Sequence, residues 1–165
     1  MAKTAADLRT PLLATMGGVA LIIGLLVYLA DRHAGHSALI PAAAVLNTGP
    51  LFGVLGAWLP SFVHPFAFSL FTASVLPFGA APAWRVCAIW WAVDIAFECL
   101  QHPTVATPAA AALNMLFGHS ELAQLLTNYM LRGTFDLGDL VAATAGAMAA
   151  ALLLVVHPGD KAHDS

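Results

Sequence analysis

The stretch PLLATMGGVALIIGLLVYLA, residues 11–30, contains no charged residue. A helix of about 20 mostly apolar residues can cross the hydrocarbon layer of a bilayer, which is about 30 Å thick. Pro11 suits the first turn of such a helix, because the N–H that proline lacks would have no intrahelical partner there. The stretch therefore predicts a membrane-spanning helix near the amino terminus.

A cleaved signal peptide is the competing interpretation of this stretch, since Lys3 and Arg9 precede it. Its apolar part is longer than that of a signal peptide, and the following residues DRHAGHS, 31–37, lack a clean small-x-small cleavage pattern. A retained membrane anchor is therefore favoured.

The composition of the whole chain agrees with membrane insertion. Of the 165 residues, 60% are hydrophobic and 9% are charged, the mean hydropathy is +0.83, and the formal net charge is −3. A soluble domain usually carries about 25% charged residues. This shortage of charge excludes an ordinary soluble globule, a disordered chain, a coiled coil and a nucleic-acid binder that relies on phosphate contacts.

Three further segments are long and apolar enough to be spans, namely residues 62–80, 84–100 and 139–156. Residues 39–59 are apolar too, but prolines and glycines interrupt them repeatedly, so we expect a broken or re-entrant segment packed against the bundle. The sequence thus predicts one all-α domain over residues 1–165. It would be a polytopic bundle of four spans with short polar tails at 1–10 and 158–165, and the alternative is five spans.

The basic residues give the bundle an orientation. With four spans and a cytoplasmic amino terminus, four of the six lie inside and two outside, whereas five spans give three on each side. The inside set is Lys3, Arg9, Arg85 and Lys161, and the outside set is Arg32 and Arg132. The positive-inside rule therefore favours four spans with the amino terminus in the cytoplasm.

The connection between the last two spans, residues 101–139, is predicted to contain a surface helix. Ser120 can cap that helix, Glu121 suits its first turn, and apolar residues recur at helical spacing after it. The helix either packs on the bundle or lies among the lipid headgroups, where it would cover a molecule that enters from the membrane.

Polar residues from distant parts of the chain should meet at the outer end of the bundle. Asp94, Glu98 and Gln101 share one face of the third span, because they stand at i, i+4 and i+7. An ionised carboxylate at the depth of Asp94 costs on the order of 3 kcal/mol unless it is paired or hydrated. The candidate ligand-binding residues are His64 at the head of the second span, Asp94, Glu98, Gln101, Arg132, Asp136 and Asp139.

Each of these residues also has a purely structural interpretation. Asp136 suits a turn, Asp139 suits a helix N-cap, and Arg132 can form an ion pair with Glu98 or Asp139. His64 can be an interfacial histidine without a ligand. No metal-ligand spacing and no nucleotide-binding or nucleophile motif is present, so neither a metal nor a cofactor is predicted.

Residues of about 60–150 resemble the VanZ-like family of small bacterial integral membrane proteins. The resemblance depends on the order of LPSFVHPFAFSL with His64, FECLQ with Glu98 and Gln101, and RGTFDLGDL with Arg132, Asp136 and Asp139. Pro60, Ser61 and Ala143 differ from the family's usual residues, so the chain resembles a divergent member or a sister subfamily. The family is named for low-level resistance to the glycopeptide teicoplanin, and its members look like envelope proteins that act near lipids or lipid-linked cell-wall components. The resemblance therefore implies a multi-pass protein of the bacterial cytoplasmic (inner) membrane.

The leading hypothesis is a membrane protein, without a demonstrated enzymatic activity, whose outer polar cluster binds a lipid headgroup or a lipid-linked cell-wall precursor. Arg132 would meet the anionic group. One alternative is an intramembrane hydrolase or transferase that uses His64 or Glu98 as a general base. The other is a structural subunit of a membrane complex, whose polar cluster holds the helices together.

Overall fold

The structure is a computed structural model, and it describes residues 5–31, 51–76, 82–118 and 120–156. Within these ranges all regular secondary structure is helical, as the sequence predicts. The six helices are α1 (Ala5–Asp31), α2 (Gly53–Val75), α3 (Ala83–Leu100), α4 (Pro103–Phe117), α5 (Glu121–Arg132) and α6 (Leu137–Val156).

Three of the described helices are long and apolar enough to cross a membrane: Thr10–Asp31, Gly53–Val75 and Leu137–Val156. The first and the last agree with the predicted spans at 11–30 and 139–156. The expectation that Pro11 stands in the first turn was wrong, because α1 begins at Ala5 and Pro11 lies inside it. The helix α3 is 18 residues long but contains Arg85, Asp94 and Glu98, so its length and composition do not place it in this group.

The prediction for the second span was wrong in its position. We expected residues 62–80, but α2 begins at Gly53 and ends at Val75. Pro60 and Pro65 lie inside it, and they do not terminate the helix. Leu76 is extended at the carboxyl end, as expected for a residue before a proline, since the proline ring disfavours helical geometry there. Pro77, which the sequence suggested as a kink, lies outside the described residues.

The start of α2 depends on a residue that is distant in sequence. The Asp31 Oδ1 accepts hydrogen bonds from the backbone N–H groups of Leu51 (2.6 Å) and Phe52 (2.9 Å). Phe52, the N-cap, has no capping side chain of its own. A carboxylate at this end also interacts favourably with the helix dipole. Of the segment predicted to be broken, 39–59, the last part therefore belongs to α2, and residues up to 50 lie outside the described residues.

The helices α1, α3 and α6 pack against the central helix α2. Leu13, Leu70, Cys87, Ala150 and Leu154, one or two from each helix, form a buried cluster. Indole groups join α3 to both neighbours, because Trp90 Nε1 donates to Thr72 Oγ1 (2.8 Å) and Trp91 Nε1 donates to Thr144 Oγ1 (3.0 Å). These hydrogen bonds hold α3 against α2 and α6.

The connection between α3 and α6 contains two helices, whereas the sequence predicted one. The predicted helix is α5, and its capping is confirmed: Ser120 Oγ accepts a hydrogen bond from Ala123 N–H at 3.3 Å. The additional helix α4 pairs with it through a buried cluster of Ala106, Ala110 and Met130. We call α4 and α5 together the hairpin. The alanine-rich run in α4 therefore serves helix packing.

Candidate functional site

Four helix ends lie together at one end of the bundle, which we call the polar end. They are the end of α1, the start of α2, the end of α3 and the start of α6. The Asp31 bonds join the first two, and a hydrogen bond from Asp136 N–H to Glu98 Oε1 (2.6 Å) joins the last two. The sequence predicted that the polar residues would meet at one such end.

A cavity of about 560 Å³ opens at the polar end between α1, α2, α3, α5 and α6. Six of the seven predicted site residues line it: His64, Asp94, Glu98, Gln101, Arg132 and Asp139. Leu21, Leu25, Phe97 and Leu140 line it as well. The cavity thus has a charged part and an apolar part, a combination that is typical of ligand pockets.

Asp136, the seventh predicted residue, does not line the cavity and has a structural role. Its Oδ1 accepts a hydrogen bond from Gly138 N–H (2.8 Å) at the start of α6, and its Oδ2 accepts one from Trp58 Nε1 (3.3 Å). It is therefore Asp136 that caps α6. The expectation that Asp139 is the N-cap was wrong, because the helix begins at Leu137 and places Asp139 in its first turn.

Asp139 holds α2 against α6 at the cavity wall. Ser61 Oγ donates a hydrogen bond to Asp139 Oδ1 at 2.7 Å. Together with the bond from Trp58 to Asp136, this contact ties the first turns of α6 to α2. The cavity is therefore bordered by hydrogen bonds that fix its shape.

His64 lies in the middle of α2, not at its head as the sequence suggested, because α2 begins nine residues earlier than predicted. Its Nδ1 is 3.7 Å from Asp94 Oδ1. The His64 side chain is 56% exposed and that of Asp94 is 19% exposed. An ionised carboxylate at the depth of Asp94 is costly unless it is paired or hydrated. Asp94 lies beside a histidine and lines a cavity, so both conditions can be met.

Arg132 is the last residue of α5 and reaches the cavity from the hairpin. Among the described residues, no carboxylate lies at ion-pair distance from its guanidinium group. The predicted alternative of an ion pair with Glu98 or Asp139 is therefore not what the structure shows. The side chain of Arg132 is exposed and can meet an anionic group of a ligand.

Five polar residues that line the cavity were not among the predicted site residues: Tyr28, Ser61, Asn128, Tyr129 and Thr134. Helical spacing could have indicated three of them. Ser61 is three residues before His64, and Asn128 and Tyr129 are four and three residues before Arg132, so each shares a face with a predicted site residue. Tyr28 had no such signal, because its neighbours in α1 are apolar.

Tyr129 connects the hairpin to α3 at the site, where its ring stands edge-on to that of Phe97 with 5.6 Å between the ring centroids. Burial raises the pKa of its phenol above the ordinary value, and the nearby carboxylates of Glu98, Asp94 and Asp139 raise it further. The phenol is therefore a neutral group at physiological pH.

Across the described residues, no three histidine, cysteine, aspartate or glutamate side chains form a cluster that could hold a metal.

Comparison with protein-family models, with curated proteins and with solved structures found no match for this chain. The resemblance to the VanZ-like family therefore stays a prediction from the sequence motifs.

Proposed function

We propose that this chain is a four-span protein of the bacterial cytoplasmic membrane, with α3 as its fourth crossing and its amino terminus in the cytoplasm. At about 1.5 Å per residue α3 is about 27 Å long, close to the thickness of the hydrocarbon layer. It packs against α2 and α6, and its acidic residues lie on the cavity. The polar end then faces the outside.

Cysteine labelling with a membrane-impermeant maleimide tests this orientation in intact cells. Arg85 and Arg132 lie near opposite ends of the bundle, so Arg85→Cys and Arg132→Cys are matched reporters in a Cys99→Ser background, which removes the exposed native thiol. We expect only the cysteine at 132 to be labelled from outside. Labelling of that position only from the cytoplasm would overturn the orientation.

The function that the cavity supports best is binding of the headgroup of a lipid or a lipid-linked cell-wall component. The observation that carries this proposal is the combination of a charged part and an apolar part in one cavity. Arg132, which has no carboxylate partner among the described residues, would bind the anionic group of the headgroup. Leu21, Leu25 and Leu140 would contact the first carbons of the attached chains.

The hairpin supports the same proposal, because the end of α4 and the start of α5 expose apolar side chains. Met115, Leu116, Phe117 and Leu122 are 82%, 71%, 64% and 65% exposed, respectively. Apolar side chains in such a patch are typical of surfaces that meet a membrane or a partner. We infer that the hairpin lies in the interfacial region and brings Arg132 to the level of the lipid headgroups.

The VanZ-like resemblance implies a place in the cell envelope and a link to teicoplanin susceptibility. A lipid-linked cell-wall component would then be the physiological ligand. This extension is tested by expressing the protein in a susceptible host, where we expect a small increase in the teicoplanin concentration that inhibits growth. The Arg132→Ala variant should not give this increase.

Native mass spectrometry tests lipid binding directly. The purified protein should retain endogenous lipid on release from detergent, and Arg132→Ala should abolish this retention. Arg85→Ala is the matched control, because Arg85 lies at the other end of α3, over the ring of Trp84 (5.3 Å from its centroid). Unchanged retention in Arg132→Ala would contradict the proposal. If Glu98→Ala then also lowered the thermal stability, the polar cluster would only hold the helices together.

One observation also favours an enzyme, since His64, Asp94 and Glu98 line the same cavity. Asp94 is positioned to stabilise the imidazolium that forms when His64 accepts a proton as a general base. Incubation with bacterial membrane lipids, followed by mass spectrometry of the lipids, tests this second candidate. New lipid species that depend on His64 would support it, and their absence would contradict it.

A further inference from the structure

Among the described residues that line the cavity, the charges on α3 and α5 do not balance. Asp94 and Glu98 contribute two carboxylates on α3, and Asp139 contributes a third that is bound by Ser61, whereas Arg132 is the one permanently cationic side chain. His64 stands beside Asp94 and can neutralise at most one of the carboxylates. A ligand with only an anionic group would therefore leave Asp94 or Glu98 without a cationic partner among the described residues.

Two of these carboxylates keep hydrogen-bonding capacity for a ligand. Glu98 uses Oε1 to accept the N–H of Asp136, but its Oε2 accepts no hydrogen bond from the described residues. Asp94 accepts none at all from them, and its contact with His64, at 3.7 Å, is longer than a hydrogen bond. A partly buried carboxylate normally accepts several hydrogen bonds.

The opposite charges are also separated in space. Asp94 and Glu98 are one turn apart on α3, so their side chains are neighbours on one helix face. Arg132 belongs to α5 and lines the cavity from the hairpin. A ligand that spans the cavity thus meets a cation at one point and a pair of carboxylates at another.

Building on the proposed function, we propose that the bound headgroup is zwitterionic, with an anionic group on Arg132 and a primary ammonium group on Asp94 and Glu98. A primary ammonium has three N–H donors and can bond to both carboxylates, at about 2.8 Å for charge-assisted hydrogen bonds. A quaternary ammonium has no N–H and would leave these acceptors unfilled. The ligand class is therefore an aminophospholipid or another amine-bearing anionic lipid.

The test compares lipids that differ only in the headgroup, with the wild-type protein in detergent and native mass spectrometry as the readout. Phosphatidylethanolamine has a phosphate and a primary ammonium, phosphatidylcholine has a quaternary ammonium, and phosphatidylglycerol has no ammonium. With matched acyl chains, we expect phosphatidylethanolamine to bind about tenfold or more tightly than either of the others. This comparison needs no variant and so does not depend on whether a variant folds.

Variants then assign the preference to the α3 carboxylates. In Glu98→Gln, which can still accept the Asp136 N–H, and in Asp94→Asn, the preference for phosphatidylethanolamine over phosphatidylglycerol should fall several-fold, towards equal binding. Glu121→Gln is the matched control, since it removes a carboxylate that does not line the cavity and should leave the preference unchanged.

The outcomes separate this inference from the proposed function. If phosphatidylglycerol binds as well as phosphatidylethanolamine or better, the inference is wrong and lipid binding stands. If no lipid is retained, both fail. Soluble phosphoethanolamine tests the headgroup without acyl chains. If it binds as tightly as phosphatidylethanolamine, the headgroup chemistry is supported, but the ligand is not a lipid.

Discussion

One methyl group added at Gly146 should push α6 away from α2. A Cβ built there would lie 2.9 Å from the carbonyl carbon of Phe62 and 3.2 Å from its Cα, with the carbonyl oxygen closer still. These are backbone atoms of α2, so no side-chain rotation can relieve the overlap. To restore an ordinary contact of about 3.5 Å with the carbonyl oxygen, α2 and α6 would have to move apart by roughly 1.5 Å.

The expected destabilisation in Gly146→Ala follows from this movement. Overpacking of this kind costs about 1–3 kcal/mol. The hydrogen bonds from Trp58 to Asp136 and from Ser61 to Asp139 join the same two helices, so the separation would weaken them as well. Gly18→Ala is the matched control, because an added Cβ there meets no atom within 4 Å. It should gain up to about 1 kcal/mol of helix propensity.

Thermal unfolding in detergent measures the difference between the two variants. Cys87 is buried and Cys99 is exposed, so in a Cys99→Ser background the reaction of Cys87 with a fluorescent maleimide reports unfolding. We expect Gly146→Ala to unfold on the order of 10 °C below Gly18→Ala. Equal unfolding temperatures would refute the reasoning, because the two helices would then not be in contact through their backbones at this position.

Three further predictions concern the polar end and the hairpin. Tyr28→Phe leaves Tyr129 as the remaining tyrosine, and its near-ultraviolet absorbance should show ionisation only above a pH of about 10. Because burial raises the pKa of Tyr129 in the folded state, the neutral phenol contributes stability below a pH of about 10, and this stability is lost as the pH rises through the folded pKa. A midpoint of the absorbance change at or below a pH of about 10 would contradict this prediction. Asp136→Ala should lower stability by about 1 kcal/mol, since α6 loses its N-cap and Trp58 loses its acceptor; unchanged thermal unfolding would argue against that role. Leu116→Cys, labelled with a polarity-sensitive dye in vesicles, should emit as in an apolar environment, whereas emission as in water would exclude membrane contact by the hairpin.

The helices that the sequence predicted well are those with a strong local signal. The helices α1 and α6 have long apolar runs, and α5 has a capping serine and an amphipathic pattern. The beginning of α2 had no such signal, because its first residues are glycine-rich and its capping carboxylate, Asp31, belongs to α1. Local propensity favoured a break there, and a contact distant in sequence decided in favour of a helix.

The candidate site was predictable to the level of which residues meet. Helical spacing placed Asp94 and Glu98 on one face, and the antiparallel order of the spans placed Arg132 and Asp139 at the same end. The partners of these residues were not predictable. The choice of Asp136 as the helix cap, and not Asp139, depends on where α6 begins, and boundaries are the weakest part of a sequence-based assignment.

The sequence by itself determined that the chain is helical, apolar enough for a membrane, and supplied with charges near the ends of its long helices. These properties follow from composition and periodicity, which act over a few helical turns. Only the tertiary structure decided that His64 stands beside Asp94 and that Arg132 reaches the cavity without a carboxylate partner among the described residues. The physical reason is that the rotation and sliding of packed helices are set by many small contacts, such as the one at Gly146, and a shift of one residue turns a side chain by about 100° around its helix.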